Sequence, residues 1–393
     1  MHVRWNEDAS ATPNGQLVFF AEFLAATGVF DRWVSSCPLS YRGGNAPDKP
    51  DVLGVLVLAM LAGHRRYAQV TALRGDAVAA QALGMKRIAS EDALRRAMER
   101  IDEAASTTWM RPSHVPHTFL VGNLHLLLDI QVSTGKQRTS GRAEAALGRL
   151  LDELQGSQGD RRPALVRGDS GYGNEGILLE LEQRDQLYLL RLRQTVNVKR
   201  LVAMAFGRTD WSRAHAQGCQ MIEGQVRLHG SSRPRRVVIV RQRTRDGIAR
   251  ERRLDEGRQL QLYLGPAVFR AGDKPWEHAV LVTDLDCPIE SVAQLYRERA
   301  NAENAFDKLQ KQWGLSGFTT QHTKRCQTVA RACASVYNWW SWYGRAAHAH
   351  ARMEAITSRP LLPAAVGKAV NHANQTTPYL TPLHGKATVP KRC

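Results

Sequence analysis

The run from Ile289 to Trp313 places Val292, Leu295, Arg299, Ala302, Phe306, Leu309 and Trp313 at alternating steps of three and four, the spacing that returns side chains to one face of a helix. Asp286, Pro288 and Glu290 stand ahead of it as a start signal, so a single helix is predicted, with an apolar stripe laid against a sheet. Tyr296, Arg299 and Glu303 are themselves three and four residues apart. On such a helix an aromatic hydroxyl, a guanidinium and a carboxylate share one edge. That trio has the chemistry to hold a phosphodiester beside a metal-binding acid.

Charge points the same way. The 54 Lys and Arg against 37 Asp and Glu give a formal net charge of +17, which favours a polyanion, above all nucleic acid, over an acidic small molecule. A basic but otherwise ordinary enzyme, or a ribosome-associated protein, is the plainer reading of the same excess. A chain of 393 residues, 43% of them hydrophobic, is long enough for two or three domains with cores of their own. Six cysteines, at 37, 219, 287, 326, 333 and 393, form no C-x-x-C pair. This argues against a zinc ribbon or a disulfide frame and for a reduced, cytosolic setting. The longest apolar stretch, Val52 to Ala62, is shorter than the roughly 20 residues that span a bilayer. No leader pattern opens the chain, so neither export nor membrane insertion is expected.

Helical periods cover Leu17 to Val34, Asp51 to Ala62 and Ser90 to Ile101, the last with Ser90 as its cap. Arg65, Arg66, Lys86, Arg87, Arg95, Arg96 and Arg100 give this part a basic skin that suits DNA ends or, equally, plain solvation. Leu120 to Val132 has strand character, Arg142 to Leu154 is an amphipathic helix, and Pro163 to Arg167 leads through a second strand into the glycine-rich run Gly168-Asp169-Ser170-Gly171-Tyr172-Gly173. Strand, helix, strand and then a glycine-rich turn carrying an acid form an α/β pattern, with Asp169 expected at the carboxyl end of a strand, where ligands gather in such sheets. A helix over Gly176 to Arg184 follows. Strands are then predicted at Leu187 to Leu192, Gln225 to His229, Arg236 to Val240, Leu260 to Leu264 and Ala279 to Thr283. Between Arg233 and Arg253 nine arginines stand against two acids, a density suited to phosphate contacts or to a solvated ribbon. A helix over Thr323 to Arg345 carries Cys326, Val329, Ala330, Cys333, Val336, Tyr337 and Trp340 on one stripe. After Ala351 the composition is that of a loose tail.

Two segments carry a family resemblance. Arg167-Gly168-Asp169-Ser170-Gly171-Tyr172-Gly173-Asn174-Glu175 and Tyr296-Arg297-Glu298-Arg299-Ala300-Asn301-Ala302-Glu303-Asn304 resemble the second-acid and Y-R-E motifs of bacterial insertion-sequence transposases of the DDE class. The likeness extends over nearly the whole chain, through Asn45-Ala46-Pro47, Gly63-His64-Arg65-Arg66-Tyr67, Arg111-Pro112-Ser113-His114 and Val282-Thr283-Asp284-Leu285-Asp286. It implies an RNase H-like α/β core, interrupted by a β-rich insertion and preceded by a helical DNA-binding domain. The corresponding boundaries are 1–108 for the helical domain, 109–186 for the first part of the core, 187–285 for the insertion, 286–350 for the rest of the core and 351–393 for the tail. Residue by residue, the second and last metal-binding acids fall on Asp169 and Glu303, holding Mg²⁺ or Mn²⁺ in a two-ion site. The Tyr and Arg that support DNA near the cleavage point fall on Tyr296 and Arg299. The partners implied are transposon ends and target DNA, bound by a homodimer without any membrane, in a cytoplasmic, nucleoid-associated setting. The 134 residues from Asp169 to Glu303 exceed what a compact core needs, and the β-rich block accounts for the surplus.

Two departures matter. Seven residues after Glu303 the family has a Lys, whereas position 310 is Gln, with Lys308 and Lys311 as neighbours. The family's first metal-binding Asp lies on the opening strand of the core, between a Trp and the Arg-Pro-Ser-His turn. Here Trp109 and Met110 run directly into Arg111-Pro112-Ser113-His114, so the core is expected to lack its first strand through an internal deletion. Asp129 matches a non-catalytic position, and Asp102 and Glu103 belong to the end of a helix. A two-ion site short of one carboxylate holds its ions weakly. The resemblance therefore implies a transposase by descent, impaired in this copy. The alternative is a catalytically dead DNA-binding protein that occupies transposon ends or inhibits intact transposase. A general nuclease of the same superfamily would use the acids but leaves the Y-R-E helix unexplained.

Overall fold

The computed structural model describes residues 10–41, 43–44, 46–101, 109, 119–122, 124–130, 139–158, 163–213, 219–231, 233–243, 276–315, 317–318, 322–348, 353–372 and 375–381. They fall into two units, Met1–Gln137 with Asn301–Cys393, and Arg138–Ala300. The first unit opens with the short strand β1 (Ala11–Thr12) and the helices α1 (Leu17–Thr27) and α2 (Val29–Ser35). Apolar spacing alone predicts one helix there. Gly28, at φ 62°, divides it, because a left-handed residue ends a helix and glycine adopts that conformation at least cost. Helix α3 (Lys49–Leu61) is buried from Val52 to Leu61, as an all-round apolar helix must be. A 3₁₀ stretch (Tyr67–Gly75), α4 (Ala77–Ala82) and α5 (Glu91–Arg100) follow. The Ser90 hydroxyl accepts the Ala93 N–H at 3.1 Å, as its sequence position predicts. Ser90→Ala is expected to lower stability by about 1 kcal/mol, measured as a fall in the thermal midpoint. In place of one strand over Leu120 to Val132 there is a hairpin of β2 (Phe119–Val121) and β3 (Leu126–Asp129), turning through His125 at φ 48°.

The second unit begins with α6 (Thr139–Gln158) and continues through β4 (Val166–Gly173), α7 (Glu175–Gln183), β5 (Tyr188–Leu192), α8 (Val196–Ala205), β6 (Gln220–Val226), β7 (Arg235–Arg243), β8 (Trp276–Thr283) and α9 (Ile289–Arg297). The five strands form one sheet in the order β4-β5-β8-β7-β6, parallel between β4 and β5 and antiparallel elsewhere. Alternation assigns its two faces. Leu189, Leu281, Val238 and Met221 lie on one, packed with Val292 and Ala293 of α9. Tyr188 and Arg235 reach α7 from the other. The glycine-rich run, expected as a turn, is itself strand β4, and α8 was not anticipated. The expected strand at Leu260 to Leu264 lies outside the described residues. Several of the arginines that make this block so basic are structural. Arg235 is buried among Glu175 and Glu182, Arg236 donates to the carbonyls of Leu285 and Cys287, and Arg241 is stacked between Trp211 and Trp276 at 3.8 and 4.6 Å.

The chain then returns to the first unit. The helix predicted from Ile289 to Trp313 is two helices, because Glu298 and Arg299 form a turn between α9 and α10 (Ala300–Gln312). The 25-residue α11 (Thr323–Ala347) is buried along most of its length, not on one stripe alone. Its Trp340 and Tyr343 pack on Phe20 at 5.1 and 5.2 Å, and its Trp339 meets Trp33, which stacks on Trp109 at 5.0 Å. The Asn338 amide group pairs with both the N–H and the carbonyl of Leu127, at 2.8 and 2.7 Å, and so caps the outer edge of β3. In place of the loose tail expected after Ala351, α12 (Ala355–Leu361), β9 (Gly367–His372) and β10 (Gln375–Leu380) continue the fold. These two strands complete a sheet in the order β1-β9-β10. Among the described residues no helix is long and apolar enough to cross a membrane.

Candidate functional site

Asp169 sits where the ladder between β4 and β5 is interrupted. Arg167 pairs with Leu189 and Gly168 with Leu190, but the next pair is Gly173 with Leu192, so Asp169 to Tyr172 form an excursion opposite Arg191 alone. Bulges of this kind turn side chains out of the ladder and are common beside active sites. Asp169 is exposed, and its Oδ1 accepts the Gly171 N–H at 2.8 Å, an Asx turn that fixes the carboxylate. Among the described residues Oδ2 accepts no hydrogen bond. At the end of the excursion, burial raises the Tyr172 phenol pKa, and the Asp169 charge raises it further.

The strand parity that faces α9 also carries the polar residues. Arg167 stands opposite Leu189, and Arg191 opposite Leu281, both on the α9 side. Arg167 donates to the Leu295 carbonyl at 2.7 Å, and its guanidinium lies 3.5 Å from the Glu298 carboxylate. It thereby ties β4 to the carboxyl end of α9. There Arg299 lies over the Tyr296 ring, 5.0 Å from its centroid, within cation–π range. Burial pushes the Tyr296 phenol pKa up, the positive charges of Arg299 and Arg191 oppose this, and the Asp169 charge adds a small upward push. Tyr296 therefore lies within electrostatic reach of Arg299, Arg191 and Asp169. An exposed acid on a strand tied by Arg167 to the helix end that bears a guanidinium and a phenol is suited to a phosphodiester whose negative charge arginines balance.

Of the residues singled out in the sequence, Asp169, Tyr296 and Arg299 lie within the second unit, where Arg299 rests over the Tyr296 ring. Glu303 lies on α10, in the first unit past the turn at Glu298 and Arg299, so the premise that one unbroken helix carries all three Y-R-E side chains is corrected. The side chains of Glu303 and of Asp129, on β3, lie outside the described residues, as do Asp102 and Glu103. Beside Gln310, Lys308 is paired with Glu354 at 2.5 Å and Lys311 with Asp307 at 2.8 Å. Among the described residues no three His, Cys, Asp or Glu converge as metal ligands. Asp169 fits one position in such a set, a hard oxygen donor exposed and oriented by its own turn. Sequence reasoning missed Arg167, Arg191 and Arg193. The alternation Arg191-Leu192-Arg193 was the available signal, because it puts both cations on one face of a strand.

The family model described as Transposase DDE domain matches residues 112–339, well over half of the chain. No curated protein gives a significant match.

Proposed function

The chain belongs to the DDE transposase family of insertion sequences, enzymes that bind DNA and use divalent metal ions, and from that premise we propose that it binds transposon ends through an RNase H-like core in which Asp169 and Glu303 are the metal-binding acids. The observation that carries this reading is the contact of Arg299 with the Tyr296 ring at the end of α9, which Arg167 ties to the strand that bears Asp169. Asp169 and Glu303 would hold Mg²⁺ or Mn²⁺, which would supply activation of the attacking oxygen and stabilisation of the leaving one. The chain's own residues do the rest. Arg299 and Arg191 neutralise a phosphate beside Asp169, the half-buried Tyr296 ring backs Arg299, and Arg167 fixes α9 against β4.

We further propose that this copy lacks the first acid and the strand that bears it, and is impaired in cleavage. Support comes from each unit separately. In the hairpin of the first unit, Asn338 caps the far edge of β3, and among the described residues no strand lies beyond β2. In the second unit, β4 is the terminal strand of its sheet. A strand lost between Met110 and Arg111 would leave such an edge unpaired. The same observations favour the second reading, a DNA-binding protein that occupies ends without cutting them.

A cleavage and strand-transfer assay with cognate terminal repeats and Mn²⁺ tests both. End binding that weakens steeply with salt is expected, with residual cutting that falls at least about a hundredfold in Asp169→Ala and in Glu303→Ala. Binding with no cutting at all selects the second reading. Cutting that survives Asp169→Ala removes this acid from the mechanism. Assembly as a homodimer on paired ends is part of the proposal, tested by the mass of the DNA complex.

A further inference from the structure

The excursion that carries Asp169 is held at its ends by two close approaches of β4 to β5. A Cβ on Gly173 would meet the Arg191 carbonyl oxygen at 2.0 Å, and one on Gly168 would meet Leu190 at 2.8 Å. Its middle is held by Arg193, just beyond β5. Nε donates to the Ser170 carbonyl at 2.9 Å and Nη2 to the Gly171 carbonyl at 3.4 Å. One planar fork thus fixes two successive carbonyls, while the amide of the second residue is fixed by Asp169 itself. The chain of constraint runs from Arg193 through the Ser170 and Gly171 peptides to Oδ1 of the acid. We propose that Arg193 is a positioning residue, whose guanidinium orients the Asp169 carboxylate by clamping the excursion. This rests on the reading of Asp169 as a metal-binding acid.

The arrangement asks for arginine in particular. A lysine ammonium can reach one of the two carbonyls, but it lacks the rigid spacing of Nε and Nη2 that spans both. Because Arg193 is exposed, its loss leaves the core of the unit in place. A phosphate-binding arginine would behave differently, since each lost phosphate contact lowers the salt dependence of DNA binding by about one counterion.

Three measurements on the full chain test the proposal. In Arg193→Ala, amide exchange in peptides covering 168–173 is expected to quicken about tenfold, with the thermal midpoint unchanged, as local unclamping requires. Ferrous ion with ascorbate and peroxide, used as a surrogate metal, is expected to cut the backbone near Asp169 in the parent protein. That cutting should vanish in Asp169→Asn, fall severalfold in Arg193→Ala and recover partly in Arg193→Lys. The slope of end binding against salt is expected to match the parent in all three variants. Cutting lost in Asp169→Asn but intact in Arg193→Ala overturns the role of Arg193 and leaves Asp169 standing. Cutting that persists in Asp169→Asn overturns the parent reading, and the inference with it. A salt slope smaller by about one in Arg193→Ala makes Arg193 a phosphate ligand instead. Should Arg193→Ala fail to fold, Arg193→Lys decides, because parent-like exchange and cutting in that variant rule out the two-carbonyl clamp.

Discussion

Arg235→Ala is expected to unfold the five-stranded unit under conditions in which the parent protein stays folded. The Arg235 side chain is 3% exposed. Its guanidinium meets Glu182 at 2.6 and 3.0 Å and Glu175 at 2.6 and 2.9 Å. The two acids are seven residues apart on α7, two turns along one face, so one arginine on β7 fastens that helix to the sheet. Removing the cation leaves two partly buried carboxylates facing each other. Breaking a buried pair in this way costs about 3–5 kcal/mol, a large share of the stability of an ordinary domain. The pH dependence gives a second readout. Burial works against ionising Glu182, yet hydrogen bonds from Arg235, Tyr188 and Arg233 outweigh it and hold the pKa down at about 2, from an ordinary value of 4.5. A depressed carboxylate pKa gives stability that is complete above the unfolded value and lost as pH falls through the folded one. The urea midpoint of the parent should therefore drop between pH 4.5 and 2, and the drop should shrink in Arg235→Ala. An Arg235→Ala midpoint within experimental error of the parent would show that the cluster contributes nothing net.

That cluster also marks a limit of reading from sequence. Arg235 stands in a run whose density of arginines suggests phosphate or solvent, and nothing in the run distinguishes the buried cation from exposed Arg233. The difference arises when β7 pairs beside β8 and its parity turns Arg235 toward α7. Register is a tertiary quantity, invisible to composition. The same holds for Arg167, Arg191 and Arg193, which become neighbours of the acid only through the β4–β5 ladder.

Local rules did better where the cause was local. Ser90 caps α5, and the apolar periods of α3 and α11 correspond to buried helices. Periodicity failed at breaks that keep phase. Gly28 interrupts the first helix, and Glu298 with Arg299 interrupts the later one, while the apolar residues on either side continue at steps of three and four. A spacing argument cannot register such a break, so it puts Tyr296, Arg299 and Glu303 on one continuous helix, whereas Arg299 lies in the turn and Glu303 on α10. The motif around Asp169 was legible as a motif but not as a shape. Three glycines in six residues read as a turn, whereas here Gly168 and Gly173 serve the close packing of a bulged strand.

Gly173→Ala should therefore do more harm than its size implies. The atoms that an added Cβ would meet are the Arg191 carbonyl oxygen at 2.0 Å, its carbon at 2.8 Å and the Leu192 Cα at 3.0 Å. All are backbone, so no rotamer change relieves the clash and β5 must draw away from β4. Overpacking typically costs about 1–3 kcal/mol and more where only main chain can yield, so a fall of roughly 5–10 °C in the thermal midpoint is expected for a unit of this size. Gly168→Ala should be milder, since its nearest atoms belong to the side chains of Leu190 and Tyr172. Gly207→Ala, in the same unit with nothing nearer than 4.0 Å, is the control for glycine replacement itself. The functional consequence follows from where the strain falls. Once Gly173 no longer holds the far end of the excursion, Asp169 loses its fixed relation to Arg193, Tyr296 and Arg299, and amide exchange should quicken across 166–175 and 186–193. If Gly173→Ala melts within a degree or so of Gly207→Ala, β4 and β5 do not approach as closely as described, and the geometry assigned to Asp169 falls with them.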